Sequence, residues 1–126
     1  MAFPPPEGLT FARSRRLKAG RDFRRAKSKG QRLPCGCLIA NWLYLPESEA
    51  TRLGVITSKN VGPAVARSRA RRLLREAIRL HQHELAGPMD LVLVARRSIV
   101  GKMLGDVEKD FMTAARKAKF LKSARA

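Results

Sequence analysis

The spacing between apolar residues changes several times along the chain. Three short runs of apolar and strand-forming residues predict β-strands. Residues 38–45 and residues 52–57 are rich in strand-forming side chains and are separated by a polar turn that contains Pro46. Residues 90–95 are almost continuously apolar, which is typical of a strand buried on both faces. Because strands joined by a short link usually pair with each other, the first two are expected to be antiparallel neighbours.

Helical spacing occurs in three other segments. Residues 13–29 are basic with few apolar points, and Gly30 is placed to end a helix there. Residues 64–85 are the most regular segment, and residues 104–121 form a last amphipathic helix. In the second segment the predicted apolar face consists of Ala66, Ala70, Leu73, Leu74, Ala77, His81 and Leu85, and the opposite face carries Ser68, Arg72, Arg75 and Arg79. In the third segment the residues expected to face inward are Leu104, Val107, Phe111 and Ala115.

The order helix, strand, strand, helix, strand, helix predicts an α+β fold in which the helices form one layer against one sheet. A chain of 126 residues is most simply one domain. We expect a flexible, Pro-rich tail over residues 1–12, a single domain over residues 13–121 and a basic tail over residues 122–126.

Charge is the feature that points to a partner. The chain has 27 Lys and Arg against 10 Asp and Glu, a formal net charge of +17. A domain with that much like charge repels itself and attracts polyanions, so nucleic acid is the predicted partner. The excess is concentrated in residues 1–34, 58–79 and 96–126, whereas residues 35–57 contain only Arg52 as a basic side chain.

The central predicted helix has six arginines in thirteen residues, with Glu76 as the one acid among them. Repulsion between neighbours three and four residues apart destabilises such a helix unless an external anion compensates it. Guanidinium groups can grip phosphate oxygens in pairs. The turn before the helix, with Gly62 and Pro63, places its first N–H groups beside Lys59 and Arg67, where they attract phosphate.

Several classes are not supported by the sequence. No run approaches the roughly 18 apolar residues of a membrane span, and residues 1–8 lack the apolar core of a secretory signal, so we expect a cytoplasmic protein. Cys35 and Cys37 are expected to be reduced thiols at alternate positions of a strand. No catalytic or metal-binding constellation is recognised: His81 lies on an apolar helix face, and the acids at 106, 108 and 110 are expected to offset nearby lysines.

Alternation along residues 38–45 gives that strand two different faces. Leu38, Ala40, Trp42 and Tyr44 share one, and Ile39, Asn41, Leu43 and Leu45 share the other. One face must belong to the core, and the other is a candidate floor for single-stranded RNA. For Trp42 itself, core packing is the favoured interpretation.

Residues 58–76, Ser-Lys-Asn-Val-Gly-Pro-Ala-Val-Ala-Arg-Ser-Arg-Ala-Arg-Arg-Leu-Leu-Arg-Glu, resemble the signature of the bacterial ribonuclease P protein subunit. Supporting matches are residues 16–18 followed by Asp22 and Phe23, Gly30, residues 52–55 and residues 90–96. The likeness extends in the right order from about residue 16 to residue 120.

The resemblance implies a two-layer α/β sandwich of the ribosomal protein S5 domain 2 type, with a left-handed strand–helix–strand crossover around the Arg-rich helix. It also implies a protein that binds a catalytic RNA. In this family the RNA performs the hydrolysis that removes the 5′ leader from precursor tRNA. The Mg²⁺ ions used in this reaction are held mainly by the RNA. The protein raises substrate affinity and improves the use of metal ions, and it has no active site, membrane partner or small-molecule substrate of its own.

The resemblance also assigns residues by position. Those expected to contact the catalytic RNA are Lys59, Arg67, Ser68, Arg69, Arg71, Arg72 and Arg75, and those expected to line the leader cleft are Arg16, Phe23, Lys27, Ile39 and Asn41. Ser68 stands where the family usually has Asn, and Lys27 and Asn41 stand where many members have aromatic residues. Three alternatives remain open: a ribosomal-type structural RNA-binding protein, a stand-alone nuclease and, more remotely, a basic protein of the membrane surface.

Overall fold

The computed structural model describes residues 24–25, 28–46 and 51–120 of the chain. Residues 24–25 and 28–29 are helical, and Gly30 forms a bend directly after them, as the sequence predicts. The predicted tails, 1–12 and 122–126, and most of the predicted first helix lie outside the described residues, so these predictions stand as they were made.

Four strands form one sheet in the order β1–β2–β4–β3. They are β1 (Gln31–Cys35), β2 (Leu38–Tyr44), β3 (Arg52–Ile56) and β4 (Met89–Ala95). β2 pairs antiparallel with both β1 and β4, whereas β3 runs parallel to β4. The first two predicted strands correspond to β2 and β3. Their predicted antiparallel pairing is wrong, because β4 lies between them.

The central position of β4 has a physical reason. Six of its seven residues are buried, the exception being Val94, so β4 is the strand that gains most from neighbours on both sides. The chain leaves β3, passes through a helix and returns as β4 beside it, which makes the parallel βαβ unit expected of a crossover. The left-handedness of this crossover stays a prediction.

The strand β1 was not among the three predicted from the sequence. It is only five residues long, it begins with Gln31 and Arg32, and it contains Pro34. A proline is tolerated there because β1 is an edge strand that pairs on one side only. Cys35 ends this strand but Cys37 lies in the turn after it, so the two free thiols do not occupy alternate positions of one strand.

The two long helices are α1 (Ala64–His81) and α2 (Leu104–Ala118), and both pack on the same face of the sheet. α1 ends four residues before its predicted end, because Gln82–Glu84 form a 3₁₀ turn. The side chains that α1 and α2 bury against the sheet are Ala70, Leu74, Ala77, Ile78, Val107, Phe111, Ala114 and Ala115. The predicted two-layer α+β arrangement is confirmed.

Trp42 belongs to this core. Its side chain is 4% exposed, and its ring centroid lies 5.2 Å from that of Phe120. Leu38 and Ala40 are buried on the same face of β2, as the alternation predicts. The core interpretation of Trp42 is confirmed, and the other face of the strand, with Ile39 and Asn41, looks away from the helices.

The three acids of α2 hold the fold together. Asp106 accepts a hydrogen bond from the Met103 N–H (3.0 Å) and caps the helix, and Asp110 accepts one from the Cys37 N–H (2.9 Å). Glu108 contacts His81 on α1. These contacts were not predicted, and the expectation that the three acids offset the charge of nearby lysines stays a prediction. Burial, helped by Asp110, raises the pKa of the Cys37 thiol to about 12, so this thiol stays protonated.

Candidate nucleic-acid interface

One face of α1 is exposed and basic. Ser68, Arg72 and Arg75 are exposed on the side of the helix opposite the buried residues, as the sequence predicts. Arg67, Arg69 and Arg71 are half-buried beside this stripe. We call the surface formed by these six residues the arginine face.

The contacts of the arginines show how little of this charge is neutralised locally. Arg71 donates to the hydroxyl of Thr57 (2.9 Å), and Arg69 lies 3.8 Å from the sulfur of Met103. Both partners are uncharged. Among the described residues, Arg67, Arg69, Arg71 and Arg72 have no carboxylate partner. The arginine face therefore carries several positive charges that an external anion can neutralise.

Arg79, at the end of the same helix, differs. Its Nε lies 3.1 Å from both carboxylate oxygens of Glu76, and its Nη2 lies 2.5 Å from one of them. The hydrogen bonds from Arg79 lower the pKa of the Glu76 carboxyl group. This ion pair offsets the charge of Arg79 in part, so Arg79 is a weaker candidate for an anion contact than Arg72.

The turn that precedes α1 brings further positive charge to the start of the helix. The Ser58 hydroxyl accepts a hydrogen bond from the Asn60 N–H, Lys59 is exposed, and Gly62 adopts φ +138°, a conformation that suits glycine. Pro63 lies at the N-cap, one residue before the helix, and its side chain accepts no hydrogen bond from the N–H groups of the first turn. The first turn contains no acid. Such a helix start attracts anions.

A second candidate surface lies on the sheet face that looks away from α1 and α2. An open concavity of about 170 Å³ is lined by Arg32, Ile39, Asn41, Ile56 and Val94. Ile39 and Asn41 were predicted here. Arg32, Ile56 and Val94 were not, and the signal that was missed is β1, because its pairing with β2 places Arg32 directly beside Asn41.

Asn41 is the buried polar group of this concavity. The side chain is 4% exposed, and its amide oxygen has no hydrogen-bond partner. Burying an unpaired amide oxygen costs free energy, so a group that donated a hydrogen bond to this atom would recover part of that cost. The other predicted cleft residues, Arg16, Phe23 and Lys27, lie outside the described residues, and their roles stay predictions.

The titratable cluster at the end of α1 is structural. The ring nitrogens of His81 lie 2.5 Å from Glu84 and 2.6 Å from Glu108, and its ring packs 6.2 Å from that of Phe111. Burial lowers the pKa of His81, but the hydrogen bonds to the two carboxylates outweigh it, so the pKa is raised above its usual value. His81 thus ties α1 to α2. Within residues 24–25, 28–46 and 51–120, no group of three or more His, Cys, Asp or Glu side chains is arranged so that it could hold a metal ion.

A family model described as "Ribonuclease P" matches residues 11–119. The chain belongs to the ribonuclease P protein family. A relative named "Ribonuclease P protein component" from Gluconacetobacter diazotrophicus is 36% identical over 107 residues, which cover 84% of this chain and 92% of the relative. One of the same name from Syntrophomonas wolfei is 36% identical over 105 residues, covering 82% and 86%.

Solved structures of ribonuclease P proteins share the fold. The protein from Staphylococcus aureus superposes with a TM-score of 0.77 at 24% identity, over 86% of this chain and 98% of that one. The protein from Thermotoga maritima gives 0.70 at 21% identity, over 80% and 96%. The mixed α/β fold predicted from the resemblance is thereby confirmed. In the described part of the chain, no helix has the length and apolar character needed to cross a bilayer.

Proposed function

We propose that this ribonuclease P protein is the non-catalytic subunit of a ribonucleoprotein that removes the 5′ leader from precursor tRNA. It binds the catalytic RNA through the arginine face of α1, with Lys59 at the edge of that surface. The single-stranded leader lies in the concavity of the sheet. Hydrolysis belongs to the RNA, and the protein holds the RNA and its substrate together.

The observation that carries this proposal is the arginine face itself. Four of its arginines, Arg67, Arg69, Arg71 and Arg72, have no carboxylate partner among the described residues, although α1 is packed rigidly against the sheet. Guanidinium groups held in a row in this way repel one another in the isolated protein, whereas each of them stabilises a complex with a polyanion. Releasing counterions from RNA phosphates supplies the affinity.

The concavity supports binding of an unpaired strand. Ile39, Ile56 and Val94 offer apolar surface to a base, Arg32 offers a positive charge to a phosphate, and Asn41 offers an unpaired acceptor oxygen. The described lining contains no aromatic side chain, and Phe23, which is predicted to line the same cleft, lies outside the described residues.

Mg²⁺ enters this proposal through the RNA. Two RNAs brought together repel each other, and divalent cations or protein cations reduce that repulsion. We propose that the catalytic RNA holds the Mg²⁺ ions that act in hydrolysis. The contribution of the protein is fixed positive charge, which lowers the concentration of Mg²⁺ that assembly requires.

Reconstitution tests the proposal against its rivals. Precursor tRNA is incubated with the protein alone, with the cognate catalytic RNA alone, and with both. The proposal expects no cleavage by the protein alone and faster cleavage by the mixture than by the RNA alone. A stand-alone nuclease would cleave without the RNA, and a ribosomal-type protein would bind ribosomal RNA and leave the cleavage rate unchanged.

A further inference from the structure

A shallow groove lies where the first turns of α1 meet the segment that leads into α2. It has a volume of about 70 Å³, and the residues that line it are Ala66, Arg69, Ala70, Ile99, Val100 and Gly101. We call it the Val100 groove. Five of these six residues are apolar or glycine, and Arg69 is the one charged side chain at its edge.

Large apolar side chains are exposed around this groove. Val65 is 81% exposed, Met103 is 66% exposed and Val100 is 55% exposed. Val65 lies one turn before Arg69 on α1, and the Met103 sulfur is 3.8 Å from the Arg69 guanidinium. Elsewhere in the described residues, Tyr44 is the one comparably exposed large hydrophobic residue. An apolar patch that is concentrated in this way marks an interaction surface.

The surroundings of the groove are entirely basic. Residues 59–70 and residues 96–103, the two segments that form it, contain six Lys and Arg and no acid. Asp106, the acid that follows them in the sequence, is already bound to the Met103 N–H. A partner therefore needs apolar surface for the floor of the groove and negative charge for its rim.

We infer that the Val100 groove takes an unstacked nucleobase of the catalytic RNA, whose neighbouring phosphates lie on Arg69 and the adjacent basic side chains. The inference rests on the proposed function, because the groove is continuous with the arginine face through Arg69. A nucleobase in an irregular RNA segment offers both an apolar face and flanking phosphates. The arginine face then gives affinity for any RNA backbone, whereas the groove selects RNA with an unpaired base at the right place.

The test uses the full chain and its cognate catalytic RNA. The double variant Val65→Ser/Val100→Ser is compared with Tyr44→Ser, which removes an exposed apolar side chain remote in sequence from the groove. Both valines are exposed, so the thermal unfolding midpoint of each variant is expected to match that of the unmodified chain. Binding is measured across a salt series, and unpaired bases are probed with dimethyl sulfate.

We expect the double variant to bind the catalytic RNA about tenfold more weakly. The slope of affinity against salt stays unchanged, because no phosphate contact is lost. A small set of bases that the unmodified chain protects from dimethyl sulfate becomes reactive, while protection of the backbone from hydroxyl radicals persists. Tyr44→Ser changes neither affinity nor protection.

Two results overturn the inference. One is unchanged affinity and unchanged base protection in the double variant. The other is binding to phosphatidylglycerol vesicles that the two substitutions abolish while RNA binding stays intact, since the same patch would then serve a membrane. Failure of the unmodified chain to bind or assist the catalytic RNA would instead contradict the proposed function itself.

Discussion

Arg32 and Asn41 lie directly opposite each other in the antiparallel ladder between β1 and β2. Directly opposed residues of such a pair point to the same face of a sheet, and both side chains line the concavity on the face away from the helices. An exposed guanidinium thus stands beside a buried amide oxygen that has no partner. This pair therefore places a positive charge and a hydrogen-bond acceptor next to each other on one surface.

The first prediction concerns this pair and the leader. Arg32→Ala is expected to weaken binding of precursor tRNA to the holoenzyme by about threefold to tenfold, because one charge-assisted contact is lost. Binding of mature tRNA, which has no leader, is expected to be unchanged. Affinities for the two RNAs are measured by competition. Arg116→Ala, an exposed arginine on α2, is the matched control, and equal losses for both RNAs would argue against the concavity as the leader site.

The second prediction compares two arginines of α1, one without a carboxylate partner among the described residues and one paired with Glu76. Arg72→Ala is expected to lower affinity for the catalytic RNA and to reduce the slope of log affinity against log salt by about one. Arg79→Ala is expected to change that slope less, because Glu76 already neutralises part of its charge. Binding over a range of KCl concentrations checks both. If Arg72→Ala leaves affinity and slope unchanged, α1 is not the RNA-binding helix.

The third prediction is a pH dependence of stability. The pKa of His81 is higher in the folded protein than its usual value, because Glu84 and Glu108 outweigh the effect of burial. The stabilisation is therefore complete below the unfolded pKa of 6.5 and is lost as the pH rises through the folded pKa.

We expect His81→Asn to cost about 1 kcal/mol of unfolding free energy at pH 5.5–6.5, since Glu84 is half-exposed and screened. The cost diminishes as the pH is raised above that range. Urea unfolding of both proteins at several pH values measures the difference. A difference that grows with pH would mean that His81 is stabilised in its neutral form.

The fourth prediction compares two glycines. Gly36 has φ +57°, and a Cβ there would overlap the Asp110 carboxylate, which accepts the Cys37 N–H. Gly36→Ala is expected to cost about 2–4 kcal/mol, from backbone strain and the lost hydrogen bond. Gly105 lies in α2 with nothing within 4 Å of its Cβ position, so Gly105→Ala is expected to stabilise by up to about 1 kcal/mol. Chemical denaturation measures both, and similar effects would contradict the role given to Asp110.

Local patterns predicted the parts of the fold that depend on local spacing. The buried and exposed faces of α1 follow from a helical period sustained over eighteen residues. Alternation along β2 placed Trp42 on one face with Leu38 and Ala40, and the favoured assignment of Trp42 to the core is confirmed. The central strand β4 was predicted from its continuous apolar run. The exposure of Arg72 and Arg75 could be predicted for the same reason, since they lie opposite the apolar face.

Local sequence patterns could not predict which segments, distant in the sequence, pair or contact each other in the fold. The sheet order depends on where the chain returns after α1, and nothing within residues 52–57 encodes that β4 will pair there. The partners of Glu108 and Asp110 are 27 and 73 residues away in the sequence. No local sequence pattern could therefore indicate that these two acids connect distant segments of the fold. Arg32 was missed because β1 is short, polar and interrupted by Pro34, and only its pairing with β2 brings it to the concavity.

The dependence of precursor tRNA processing on Mg²⁺ tests the central claim most directly. Multiple-turnover cleavage by the cognate catalytic RNA is measured across a Mg²⁺ series, with and without the full chain. If the protein supplies fixed positive charge and the RNA supplies hydrolysis, adding the chain lowers the Mg²⁺ concentration needed for half-maximal cleavage, and the chain alone cleaves nothing at any concentration. An unchanged Mg²⁺ requirement, or cleavage by the protein without RNA, would contradict the account.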